Sequence, residues 1–229
     1  MHWLQVAATT LLTFYVVTCK RGEIIADMLG VLVHDHFAPY FGLEGVLHAL
    51  CNAHHLRELK ALIEIEKEPW AEDMARLLRL ACHATNCAGQ SPIRPSFVAV
   101  FTARYRRIVA EGLAFRQAQP PLDPRGKPKR GRPKRRPGHN LLIRLRDHED
   151  AVLRFLHDPA VPFTNNVAEQ GGRMAKVKMK ISGCFRTIEG ARIFVTLRGT
   201  ADTARKQGWN ILDAFKAPSA ILVARLKAA

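Results

Sequence analysis

Hydrophobic residues along the chain follow two periods. Near the start they alternate or run together briefly. His2–Ala7 and Leu11–Val17 are short, β-branched and aromatic, with small polar residues between them, which predicts two strands of a hairpin. Gly22 to Gly30 carries Ile24, Ile25, Met28 and Leu29 at helical spacing and leads directly into Val31-Leu32-Val33-His34-Asp35, a brief apolar strand ending in a carboxylate. Val46–Cys51 reads as another buried strand. After it the period becomes 3.6. Leu56, Leu59 and Ile63, then Trp70, Met74, Leu77, Leu78 and Ala81, form apolar stripes on two successive helices, with Pro69 near the start of the second. Phe97, Phe101, Tyr105, Ile108 and Val109 mark a further helix, and Leu141, Leu145, His148, Val152 and Leu156 another.

Between those last two helices, residues 119–139 are proline-rich and basic and read as a long exposed loop. Asp158-Pro159-Ala160-Val161-Pro162 breaks the chain. Thr164-Asn165-Asn166 then supplies N-cap chemistry for a helix that begins near Val167 and ends at Ser182-Gly183. A last amphipathic helix is expected from Glu189 through Ala204, with Ile193, Leu197 and Thr200 facing inward. Strands followed by helices predict an α/β molecule.

With 229 residues, 48% hydrophobic and 24% charged, the chain can bury a core. The most apolar opening run, Leu11 to Cys19, has nine residues, whereas a membrane span needs roughly 20. Met1-His2-Trp3 gives no basic start to an export signal, and five scattered cysteines suit reduced thiols better than a disulfide framework. These features predict a cytoplasmic location and no membrane partner.

Charge changes the picture most. The net charge is +15, and two segments hold all of it. Residues 125–136 contribute eight basic groups and no acids, and residues 165–229 contribute twelve basic and four acidic groups, so each segment carries +8 and the rest of the chain −1. A solvated face would mix signs. Concentrated positive charge points to a polyanion, nucleic acid above all. Arg130-Gly131-Arg132-Pro133, with Lys134 beside it, has the composition of an AT-hook core that lies in a narrow minor groove; it equally suits a basic loop making non-specific phosphate contacts.

Asp35 at a strand end and Glu169 in the first turn of a basic helix are the candidate acids. Such carboxylates can hold a divalent metal beside a phosphate backbone. Glu169 also has simpler readings. Asn166 to Glu169 has capping-box spacing, and Glu169 to Arg173 is an i,i+4 pair. Cys51-Asn52-Ala53-His54 has the C-x2-H spacing of half a zinc site, but no matching second half follows, so a role in packing stays open beside metal binding.

Val33–Tyr40, Cys51–Leu59, Asn165–Glu169 and Lys180–Arg186, taken in order, resemble the transposases of the insertion sequence 66 family. The resemblance implies an RNase H-like mixed sheet carrying DDE acids, interrupted by a large helical insertion. Residues 1–56 and 158–229 would form the two parts of the catalytic core, and residues 57–157 the insertion. Asp35 matches the second acid and Glu169 the third; two Mg²⁺ ions would be the cofactor. Arg173, Lys176, Lys178 and Lys180 would face phosphate, as would Arg130, Arg132 and Lys134. DNA would be the partner, at transposon ends and target, together with a homo-oligomer, companion proteins of the element and a nucleoid-associated location.

The family's first acid precedes the Trp3 strand, and no residue here matches it; Gln170 stands where arginine is usual. A fragment lacking its central strand and inactive alone is therefore expected. A non-catalytic DNA-binding or interaction protein and an inactive remnant are the alternatives.

Overall fold

The computed structural model describes residues 2–21, 23, 28–119 and 136–227. Most of the predicted Gly22–Gly30 helix and the residues Arg130, Arg132 and Lys134 lie outside them. The chain divides into two compact units, both discontinuous in sequence: one from residues 1–28, 38–43 and 165–229, the other from residues 29–37 and 44–164.

In the first unit, β1 (Trp3–Ala8) and β2 (Thr13–Thr18) form the expected antiparallel hairpin, pairing Trp3 with Thr18 through to Ala8 with Thr13. The Thr9 hydroxyl accepts from the Leu11 and Leu12 amides and closes the turn. A short helix, α6 (Asn166–Gly171), lies on β1. It is followed by α7 (Arg173–Ser182), α8 (Ile188–Lys206), α9 (Ile211–Lys216) and α10 (Ser219–Lys227). The long α8 packs on β2. Its Thr203 hydroxyl takes the Thr13 N–H at 3.1 Å, and Lys206 Nζ reaches the carbonyls of Thr9 and Leu12 across the hairpin turn.

Two expectations fail here. The helix predicted from Val167 to Ser182 is split at Gly172, because adjacent glycines at 171 and 172 weaken the helix where α6 docks and α7 departs. In α8 the inward face is also different. Ala191, Val195, Ala201, Thr203 and Ala204 are buried, whereas Ile193 and Leu197 are about half exposed. Small side chains allow the helix to approach β2 closely: a Cβ on Gly199 would already touch the Thr13 carbonyl at 3.4 Å.

The second unit holds a parallel pair, β3 (Gly30–His34) and β4 (Val46–Leu50), in register from Gly30–Val46 to His34–Leu50. Helices follow as the 3.6 period predicts. They are α1 (Asn52–Ala61), extended by a π-turn at Leu62–Glu66, then α2 (Pro69–Ala88), α3 (Pro95–Gln117), α4 (Pro137–Asp147) and α5 (Glu149–His157). The core is built on α2: Trp70, Met74 and Leu78 join Leu59 of α1, Tyr105 and Ile108 of α3, and Leu141, Leu142 and Leu145 of α4, all essentially inaccessible. A Cβ at Gly112 would sit 2.6 Å from Leu142 and 3.0 Å from Trp70, so α3 crosses its neighbours at a point only glycine permits.

Leu141 to Leu156 is two helices instead of one. The backbone turns at His148, where φ is −120° and ψ 30°, because α4 packs on α3 while α5 packs on β4. Charge supports the break. Arg144 and Arg146 close α4, and Glu149 and Asp150 open α5, each sign suited to its helix end. The loop predicted over 119–139 ends earlier than expected, with Pro137 as the first residue of α4.

The mixed α/β class holds, weighted toward helix. Among the described residues the strands pair as two separate two-stranded sheets, one antiparallel and one parallel, and not as a single mixed sheet.

Candidate functional site

Asp35 and Glu169 belong to different units, so each is described in its own surroundings. Asp35 follows the last residue of β3, where the parallel pair ends and strand carbonyls and side chains open outward. Its Oδ1 accepts the Phe37 N–H at 3.2 Å, which turns the chain away from the strand and holds the carboxylate half exposed.

His34 and His36 flank it in the chain, and each meets a second histidine. His34 Nε2 lies 3.1 Å from His48 Nδ1 on the neighbouring strand, and the His36 ring meets that of His148 edge to face at 4.8 Å between centroids. Burial lowers His34 to about 4 despite the adjacent Asp35 carbonyl, and burial also lowers His36 and His148, with Arg144 adding positive charge nearby. The His34 ring is therefore neutral at pH 7. Arg144 itself is tied to Glu58 by an ion pair.

Behind this end of the sheet, Cys51 is buried and precedes the first turn of α1. Asn52 anchors that turn: its amide N–H bonds the Phe163 carbonyl, its side chain donates to the Val152 carbonyl at 2.9 Å, and its Oδ1 meets His55 Nδ1 at 3.1 Å. His55 is buried and lowered to about 3, first by desolvation. Asn52 thus fixes the first turn of α1 within this unit.

Glu169 stands exposed on α6. The N-cap is Asn165, so Asn166 is the first helical residue and Glu169 the fourth; the capping-box reading is out of register by one. On α7, Arg173, Lys176 and Lys180 recur at i, i+3 and i+7 and so share a face, all exposed; Lys178 lies 5.9 Å from the Phe185 ring centroid. Sequence reasoning missed the two histidine pairs, whose members come from β3 and the residues after it, β4 and the α4–α5 junction; only the run His34-Asp35-His36 hinted at them. No helix among the described residues is long and apolar enough to cross a membrane.

No curated protein and no solved structure matches the chain. A family described as Transposase IS66 family matches residues 1–193, a span that includes both acids, the whole helical unit and the basic helix α7. The protein therefore belongs to the IS66 family of transposases.

Proposed function

We propose that this chain is part of the catalytic region of a DNA transposase of the RNase H-like, DDE type, in which Asp35 and Glu169 are two of the acids that hold divalent metal. The family match across residues 1–193 carries this reading. The local geometry supports it: one acid ends a strand, the other sits on an exposed helix followed by an unpaired-sign run of cations.

Both acids offer hard oxygen ligands, Glu169 exposed and Asp35 half exposed. That donor set fits Mg²⁺, which keeps several waters and takes one or two carboxylates. A bound metal pair supplies charge neutralisation at the phosphodiester and an activated oxygen nucleophile. Asp35, fixed by the Phe37 N–H, contributes an oriented ligand, and Glu169 contributes a second. Arg173, Lys176, Lys178 and Lys180, in the same unit as Glu169, lower the repulsion between the DNA backbone and that acid.

The test uses the purified chain with Mn²⁺, followed by electron paramagnetic resonance, alongside DNA binding and plasmid nicking. Asp35→Asn and Glu169→Gln should each weaken Mn²⁺ binding while DNA affinity is retained. Unchanged Mn²⁺ binding in both variants defeats the metal assignment, and Mg²⁺-dependent nicking that survives Asp35→Ala defeats the catalytic role of Asp35.

A further inference from the structure

The helix that carries Glu169 has little of its own to hold it in place. α6 is six residues long, none of them buried, and Gly172 follows directly. A helix this short is marginal without tertiary support. It lies on the hairpin, and its tightest approach there is at Gly171. A Cβ built on Gly171 would lie 2.9 Å from the Tyr15 hydroxyl and 3.0 Å from Val6 Cγ1, so the glycine backbone rests directly on these two side chains. Ala168, three residues earlier, is on the same face of the helix, and Glu169 and Val167 are exposed.

Tyr15 is itself fixed from behind. Its hydroxyl donates to Asp202 Oδ2 at 2.6 Å, and Asp202 is held in turn by Arg198 Nε at 2.9 Å and Arg205 Nη1 at 3.0 Å, all three on α8. Burial, then the Asp202 carboxylate, raise the phenol to about 12, so it stays a protonated donor across the physiological range. A chain of contacts thus runs from α8 through Tyr15 to the backbone of the acid-bearing helix.

We propose that Tyr15, held by Asp202, is a positioning residue that seats Gly171 and thereby fixes where Glu169 presents its carboxylate. This rests on the reading of Glu169 as a metal ligand. Gly171 has no left-handed backbone that would demand glycine, so alanine there should ordinarily favour the helix. The seat reverses that expectation. Alanine must push against the hydroxyl, and removing the hydroxyl must make room for it.

Four variants of the chain decide the matter: Gly171→Ala, Tyr15→Phe, the double variant and Glu169→Gln, each measured for Mn²⁺ affinity and for amide hydrogen exchange at residues 168–173. Gly171→Ala and Tyr15→Phe should each speed exchange there about tenfold and weaken Mn²⁺ binding about threefold or more. The double variant should recover most of the loss caused by Gly171→Ala. Glu169→Gln should weaken Mn²⁺ binding without changing exchange. If neither Gly171→Ala nor Tyr15→Phe alters exchange, or if their effects simply add, the seat is refuted. If Glu169→Gln leaves Mn²⁺ binding untouched while the exchange effects appear, the seat stands and the metal role of Glu169 falls.

Discussion

At the scale of single residues, His55 has a calculable consequence. It is buried, 2% exposed, and its pKa is lowered to about 3 from an ordinary 6.5, first by desolvation. The folded state therefore resists protonation that the unfolded chain accepts below pH 6.5. The stability that neutral His55 contributes is complete above that pH and is lost as pH falls toward 3. One proton of difference gives a slope of at most about 1.4 kcal/mol per pH unit, or about 2 kcal/mol lost by pH 5. His34, lowered to about 4, adds its own loss over a narrower window. Urea unfolding of the helical unit followed between pH 7 and 5 should show this decline, and His55→Gln should reduce the slope by close to one proton. An equal slope in the variant would mean that His55 is not the group responsible. The sequence shows ten histidines and a carboxylate at a strand end. It does not show that His48 meets His34 and His148 meets His36, because each partner is delivered by a different element.

At the scale of elements, the feet of the basic segment are pinned by a buried ion pair. Glu68, at the cap of α2, pairs with Arg116 in the last turn of α3, both side chains 2% exposed or less, and the Trp70 indole donates to the same carboxylate. Gly138, in the first turn of α4, lies against both: a Cβ there would collide with Glu68 Oε1 and sit 2.5 Å from Arg116 Nη2. Three helices thus meet around one pair of charges. Removing one partner leaves the other buried and uncompensated, which typically costs about 3–5 kcal/mol. Glu68→Gln should destabilise the chain by an amount in that range, measured by denaturant unfolding, whereas a paired Glu68→Met and Arg116→Met replacement should cost far less. Gly138→Ala should cost about 1–3 kcal/mol through overpacking. None of this was readable from the chain alone, since Glu68 looks like any acid before a helix and Arg116 like one of many cations. The helices themselves were legible from their apolar stripes. Where legibility failed, at His148 and in α8, the stripe was real but its partner was not knowable: α4 and α5 choose different surfaces, and α8 buries alanines in place of its larger Ile193 and Leu197.

At the scale of the whole molecule, charge is the feature the sequence states most clearly and the fold distributes. The two compact units are each assembled from separated stretches, which no local pattern could announce. The positive surplus of residues 165–229 nevertheless falls in one unit, and its densest run forms α7. Arg173, Lys176 and Lys180 share a face that is exposed along its length. If each neutralises one phosphate, replacing all three by glutamine should reduce the slope of log affinity against log salt by about 2.7 on duplex DNA, at ~0.9 per contact. Asp35→Asn and Glu169→Gln each remove a negative charge, so they should leave that slope unchanged and tighten binding slightly. Replacing Arg130, Arg132 and Lys134 tests the other basic segment in the same way. Fluorescence anisotropy across a salt series separates these outcomes. A slope unaffected by the α7 replacements but reduced by the second set assigns the phosphate contacts to residues 125–136 and removes α7 from the DNA interface. A slope unaffected by either set breaks the link between the +15 charge and DNA on which the functional reading depends.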